Sequence, residues 1–242
     1  MVLSDDNFAS IVAAIREGRT VYNNLKKVIS WTLPTSIGES MTIIAALLLG
    51  LTLPITPVQI LWINLITAST LGIVLAFEPS DANTMKVPPR HPDEPILSKE
   101  LAWYIVLVSC LFLGGVFSLY QYAIQSGYSI ELARTMVVNT LVIMEIFQLF
   151  FIRSFYSTSF SWQNLRGTPL IWFIIAIVII AQFAITYLPA LQAIFSTRSP
   201  SITDLLLIFL VGLATYIIAE TEKYIRIKFF SKRRILNTKS TV

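Results

Sequence analysis

The sequence predicts an all-α protein that crosses a membrane several times. Of its 242 residues, 55% are hydrophobic and only 13% are charged. Apolar runs of about 20 residues, the length that spans a bilayer as a helix, recur along the chain. Together these features are typical of polytopic helical membrane proteins.

Six apolar segments, separated by polar or proline-containing turns, predict six membrane helices. The predicted spans are about 28–50, 58–77, 101–125, 132–152, 169–188 and 202–222. Before the first span, Phe8, Ile11, Val12 and Ile15 follow a helical period, and a break is expected near Gly18. No breaker separates residues 22–33, so the first span is expected to extend into a long polar stalk below the membrane. No cleavable signal peptide is expected, because the chain does not open with a basic segment and a short apolar core.

The basic residues are distributed very unequally between the two sides of the predicted membrane. Sixteen of the 18 lysines and arginines fall on one side, and only Arg134 and Arg198 fall on the other. The positive-inside rule therefore predicts cytoplasmic termini in an inner, or plasma, membrane. The excess of basic residues is explained by topology, so membrane lipid is an expected partner and nucleic acid is not. The basic tail at 231–242 is interpreted as an anchor in preference to a site for anionic lipid.

Two residue types that often mark chemistry are nearly missing. The single cysteine, Cys110, lies in an apolar run and cannot form a disulfide within the chain. The single histidine, His91, lies in a proline-rich polar loop, which excludes a site built from histidine and cysteine ligands.

The first predicted span carries an acidic residue near its middle, in the segment Pro34-Thr-Ser-Ile-Gly-Glu39. An ionisable side chain at that depth is costly and marks a functional site. Ser36 lies three residues before Glu39, on the same helix face. Pro34 removes a backbone donor and is expected to bend the helix. A carboxylate, a hydroxyl and freed carbonyl oxygens at one depth suit a hard cation. The alternative is a protonated Glu39 hydrogen-bonded to a neighbouring helix.

Two other predicted spans repeat this pattern. Asn64 and Thr67 are three residues apart in the second span, and Glu145 and Gln148 have the same spacing in the fourth. If these helices pack against the first, their oxygen atoms form one cavity, and a bound cation or protons must compensate the two carboxylates. The alternative is that the polar side chains only hold helices together. For Thr67 alone this is at least as good an explanation.

Three segments resemble P-type cation-transporting ATPases of the calcium-pump and sodium-pump type. Residues 1–26 resemble the end of that family's phosphorylation domain, running into its fifth membrane helix. Gln59-Ile-Leu-Trp-Ile-Asn-Leu-Ile-Thr67 resembles the start of its sixth helix, and Lys86-Val-Pro-Pro-Arg90 resembles the following loop. The resemblance implies a remnant of the phosphorylation domain with its stalk at 1–27, a six-helix transport domain at 28–230 and a tail at 231–242.

The resemblance also implies roles for individual residues. Ser36 and Glu39 match cation-ligand positions of the family's fifth helix, where Ser36 replaces an asparagine common in calcium pumps. The remaining matches lie in its sixth and eighth helices and are Asn64, Thr67, Glu145 and Gln148. The family's aspartate after the threonine is here Ala68, which makes two full calcium sites doubtful. One divalent ion, a monovalent ion or proton coupling remain open.

The motifs for ATP hydrolysis do not occur in the sequence. It contains no Asp-Lys-Thr-Gly-Thr phosphorylation motif and no Thr-Gly-Glu motif. The chain alone is therefore not expected to hydrolyse ATP. The ATPase head, which uses ATP and magnesium, and the first four membrane helices are expected as partners in a full-length pump. A fragment, a truncated product and one part of a split pump are all consistent with this. The alternative functions are a non-enzymatic membrane subunit or remnant that assembles with or regulates a pump, and a secondary cation carrier.

Overall fold

A computed structural model describes residues 7–79, 84–86, 88–89, 95–153 and 169–239, with side chains omitted at 227 and 229–239. These residues form seven helices and no strands. The expectations for residues 1–6, Arg90, His91 and Arg166 lie outside the described part.

The first helix, α1, runs over Phe8–Leu48 without interruption. Its 41 residues extend about 60 Å at about 1.5 Å per residue. Asn7 caps its start by accepting a hydrogen bond from the backbone NH of Ala9 at 3.0 Å. The long stalk helix is confirmed, but the predicted break at Gly18 is wrong, because helical turns on both sides carry the backbone through that glycine.

Four further long helices follow, with bounds close to those predicted. They are α2 at Pro57–Ala76, α3 at Lys99–Gln125, α4 at Ile130–Arg153 and α5 at Pro169–Tyr187. Within α2, the segment Asn64–Gly72 is a π-helix, between α-helical turns at Pro57–Ile63 and Ile73–Ala76. Periodicity in the sequence did not predict this change of helix type.

The last two helices differ more from expectation. A short helix, α6, covers Pro189–Phe195 in a segment predicted as a loop. The final helix, α7, runs over Ile202–Lys239 and so continues well beyond residue 222. Its basic C-terminal part contains neither proline nor glycine, so nothing in the backbone ends the helix there.

Within the described part of the chain five helices qualify as apolar spans, where six were predicted. The helices long and apolar enough to cross a membrane are α2, α3, α4, α5 and the part of α7 at Ile202–Arg226. The predicted first span is helical but is not among them. Its middle carries the polar side chains of Thr35, Ser36, Glu39 and Thr42, which lower its hydropathy.

Helix α4 is the centre of the bundle. About 83% of its apolar window is buried, against 22–44% for the other four spans. Helix α7 packs along it where Gly212 leaves room, since an added Cβ there would lie 2.5 Å from Ile143. Helix α1 packs along α3 in the same way at Gly38, where an added Cβ would lie 2.6 Å from the Cβ of Phe112. These two glycines allow close helix contacts that a larger residue would prevent.

Candidate cation site

The acidic residue of α1 and the amide of α2 are in direct contact. Glu39 is 4% exposed, and its Oε2 accepts a hydrogen bond from Asn64 Nδ2 at 3.0 Å. The same nitrogen also donates to the backbone carbonyl of Ile60 at 3.2 Å. With both amide hydrogens used, Asn64 keeps its carbonyl oxygen as a free acceptor group. The other carboxylate oxygen, Glu39 Oε1, is buried and has no hydrogen-bond partner among the described residues.

The acidic residue of α4 lies nearby and is buried still more completely. Glu145 is 1% exposed, and its Oε2 also has no partner within the described part of the chain. Its carboxylate is close enough to Glu39 to interact electrostatically and lies within reach of the Thr67 hydroxyl. Thr67 donates its hydroxyl hydrogen to the carbonyl of Ile63 at 2.8 Å, which leaves the oxygen lone pairs free. We call Glu39, Asn64, Thr67 and Glu145 the carboxylate cluster.

The other two predicted ligands lie at the edge of this cluster. Gln148 donates from Nε2 to the carbonyl of Trp31 at 3.4 Å and to the hydroxyl of Tyr104 at 3.2 Å. Its Oε1 is buried and unpartnered among the residues described. Ser36 is half-buried, one helical turn before Glu39. The structure thus brings four of the six predicted residues together and puts Gln148 and Ser36 one turn away from the two carboxylates.

Three residues that support the cluster were not predicted. Trp31 is 1% exposed and donates from its indole nitrogen to the backbone carbonyl of Glu145 at 3.2 Å, which joins α1 to α4. Ser109 of α3 donates to the carbonyl of Pro34 at 3.2 Å, and Tyr104 of α3 receives the bond from Gln148. The sequence does show that these three residues are polar side chains within predicted spans. Their spacing along one helix, however, does not identify their partners on another helix.

One side of the cluster is open. Asn64, Ala68 and Ser69 are exposed on α2, within the π-helical segment. Such segments are rare and are frequently found at functional sites. Position 68, where an acidic residue was expected from the resemblance, therefore lies on the open side in this chain.

The chemistry of the cluster suits a hard cation. Its hydrogen-bond donors are used up by protein acceptors, while the free groups are carboxylate, carbonyl and hydroxyl oxygens. Oxygen ligands of these kinds bind calcium, magnesium or manganese, and also monovalent ions. Among the described residues no group of three or more histidine, cysteine, aspartate or glutamate side chains could hold a metal. Two carboxylates are therefore the full acidic content of the cluster.

A bundle of apolar helices long enough to cross a membrane defines the chain as an integral membrane protein, and comparison with known proteins gives the family. Residues 52–225 match the family described as "Cation transporting ATPase, C-terminus". The chain belongs to this family, the C-terminal membrane region of P-type cation ATPases.

Full-length relatives agree with this assignment. The chain is 45% identical over 224 residues to "Probable cation-transporting ATPase F" of Mycobacterium tuberculosis, covering 92% of this chain and 24% of the relative. It is 40% identical over 203 residues to "Cation-transporting ATPase pma1" of Synechocystis, covering 81% and 22%. It is 34% identical over 223 residues to "Calcium-transporting ATPase" of Bacillus subtilis, covering 90% and 25%. The chain thus spans about a quarter of the length of these relatives.

Proposed function

We propose that this chain is the cation-binding part of an ATP-driven P-type pump, and that the transported cation binds between α1, α2 and α4. One observation carries the proposal: Glu39 and Glu145 come from different helices, are buried together, and each keeps a carboxylate oxygen without a hydrogen-bond partner among the described residues. A buried, unpaired charge is strongly unfavourable, and a bound cation compensates it. Family membership supports the same function.

The proposed ligands can be ranked by the oxygen atoms that each has free to bind a cation. Glu39 and Glu145 supply charge, and Asn64 supplies a carbonyl oxygen beside Glu39. Thr67 supplies a hydroxyl, while Ser36 and the carbonyl oxygen of Gln148 are more distant candidates. With Ala68 in place of an acidic residue, the cluster holds at most two negative charges, which one divalent or two monovalent cations neutralise.

Helix α1 completes the proposed membrane topology. Its second half packs against α3 at Gly38 and hydrogen-bonds with α2 and α4, and this supports placing it in the same membrane layer as the five apolar spans. Six crossings then put both termini on one side, and the charge bias favours the cytoplasmic side of an inner membrane.

ATP and magnesium act in an ATPase head outside this chain, to which α1 connects. The first four membrane helices would complete the open side of α2. No described feature supports a regulatory subunit or a secondary carrier.

The proposal is tested in the full-length protein that contains this region. Glu39→Gln keeps the shape of the side chain and one oxygen that can accept from Asn64, but replaces the other oxygen by an amide group and removes the charge. We expect the concentration of cation that half-activates ATP hydrolysis to rise at least about tenfold, the equivalent of losing about 1.4 kcal/mol of binding. Calcium, manganese, sodium and potassium are each titrated, because the transported ion is not specified by the cluster.

The matched control is Glu100→Gln. Glu100 is on α3, is half-exposed, and lies 3.9 Å from Arg226 without contact to the carboxylate cluster. This variant is expected to keep wild-type activation. Equal effects of the two substitutions would favour a purely structural role for Glu39 and contradict the proposal.

A further inference from the structure

A second acidic residue joins three helices far from the carboxylate cluster. Glu78 follows the end of α2, and its side chain is only 7% exposed. Its Oε2 accepts from Lys27 Nζ of α1 at 2.7 Å, and its Oε1 accepts from Nε of Arg153, the last residue of α4. One buried carboxylate thus bonds simultaneously to the stalk helix, to the end of α4 and, through the backbone, to α2.

The backbone at the end of α2 is also held by the stalk helix. Asn24 of α1 is 5% exposed, and its Nδ2 donates to the carbonyls of Ala76 at 3.1 Å and of Glu78 at 2.7 Å. Carbonyls at a helix C-terminus lack partners within the helix, so these bonds satisfy two groups that α2 cannot satisfy itself. We call Asn24, Lys27, Glu78 and Arg153 the Glu78 junction.

The junction and the carboxylate cluster are built on the same three helices. Lys27 and Glu39 are separated on α1 by twelve residues, or about 18 Å at about 1.5 Å per residue. Helix α1 is continuous between them. Helix α2 contributes Asn64 to the cluster and leads two residues beyond its end to Glu78 in the junction, and α4 contributes Glu145 and Arg153. Helix α1 is therefore held against its neighbours at two levels, one on each side of Pro34.

We propose that Glu78 is a positioning residue that transmits displacement of the stalk helix to α2 and α4, and so controls the spacing of the carboxylate cluster. The inference rests on the proposed function and adds the contact through which the ATPase head acts on the cation site. Glu78 itself binds no cation, because Lys27 and Arg153 already neutralise it.

The test needs a variant that removes the ion pairs of the junction without leaving a buried charge unpaired, since breaking one partner alone is strongly destabilising. The triple variant Lys27→Gln, Glu78→Gln and Arg153→Gln removes all three charges together. A second variant, Lys27→Arg with Arg153→Lys, keeps every charge and serves as the conservative rescue. Glu100→Gln, which alters only an exposed 3.9 Å contact, is the matched control.

Two quantities are measured in the full-length protein: equilibrium binding of the cation, and the factor by which that cation stimulates ATP hydrolysis. The probe is whichever of calcium, manganese, sodium or potassium stimulates the wild type most. In the triple variant we expect binding to stay within about twofold and stimulation to fall about tenfold, within the usual range of coupling between sites. The charge-retaining variant and the control are expected to keep at least half of the wild-type stimulation.

A merely structural role would lower binding and stimulation in proportion to the folded fraction, measured by thermal unfolding, and would overturn the inference. An unchanged stimulation factor in a folded triple variant would also overturn it. If the triple variant does not fold, Glu78→Asp makes the same test, because it keeps the charge and shortens the side chain by one methylene. A wild type that none of the four cations stimulates would overturn the proposed function and this inference with it.

Discussion

Helix α4 contributes to two buried polar clusters, and they differ in which hydrogen-bonding groups are left free. In the carboxylate cluster, oxygen atoms of Glu39 and Glu145 are unpartnered among the described residues. The second group, which we call the amide cluster, consists of Trp62, Asn139, Gln182 and Thr186. There Trp62 donates to Gln182 Oε1 at 3.2 Å, and Gln182 Nε2 donates to Asn139 Oδ1 at 3.3 Å. Asn139 in turn donates to Thr186 Oγ1 at 3.3 Å.

The comparison separates a binding function from a structural one. A neutral network whose donors and acceptors are matched within the protein stabilises helix contacts and needs no ligand. Charged oxygens left free in an apolar bundle are unfavourable unless something else binds to them. A polar side chain inside the membrane region therefore does not by itself indicate a binding site. A buried acceptor without a donor in the protein does.

The largest expected effect follows from removing the deeper charge. Glu145→Gln should weaken cation activation of the full-length protein by at least about tenfold, while its thermal stability is kept or raised, because an unpaired buried charge is costly. Activation assays and thermal unfolding measure the two quantities separately. Loss of stability with unchanged activation would show that Glu145 has a structural role. The two clusters would then not differ in function.

The spacing of α1 and α3 gives the next prediction. Gly38→Ala places a methyl group 2.6 Å from the Cβ of Phe112, so the helices must separate beside Glu39. We expect a loss of about 1–3 kcal/mol, typical of overpacking, together with weaker cation activation. Gly114→Ala on α3 is the control, because an added Cβ there meets no atom within 4 Å. If both substitutions behave alike in thermal unfolding, close packing at Gly38 is not required.

The amide cluster should respond in the opposite way to the carboxylate cluster. Gln182→Leu removes the partner of Trp62 and of Asn139. It is expected to lower stability by about 0.6–1.7 kcal/mol, between the mean and the maximum measured for hydrogen bonds between membrane helices. Cation activation should remain at the wild-type value. A shift in activation as large as that of Glu145→Gln would show that the two clusters form one site.

The smallest expected effect concerns the open side of α2. Ala68→Asp adds a carboxylate near Asn64 and Thr67, and should raise divalent-cation affinity a few-fold or add a bound ion, because ligand charge tunes calcium binding. Equilibrium binding to the full-length protein measures both. A folded variant with unchanged affinity and stoichiometry would indicate that position 68 does not face the site and that the assignment of the second helix is wrong.

Most of the fold could be predicted from hydropathy, because each apolar segment must bury or satisfy its backbone as a helix in the membrane. The first span was the exception in composition, since the residues that build the site also lower its hydropathy. The π-helical turn at Asn64–Gly72 was not predictable, because it depends on contacts with other helices. The pairing of Glu39 with Asn64 was expected only if the helices packed together. The bond from the Trp31 indole to the Glu145 carbonyl was not predictable, because it depends on how α1 and α4 pack against each other.

The near-complete burial of α4 has a consequence for biogenesis. When this helix enters the membrane, the helices that later cover it, α5 and α7, have not yet been synthesised. Glu145 and Gln148 can already contact α1 and α3, but Asn139 still lacks Gln182 and Thr186 of α5. An amide without partners in an apolar environment is unfavourable. The many apolar residues of α4 offset that cost until its partners arrive. The polar contacts of α4 are therefore completed in two stages, and truncation before α5 would leave Asn139 without Gln182 and Thr186.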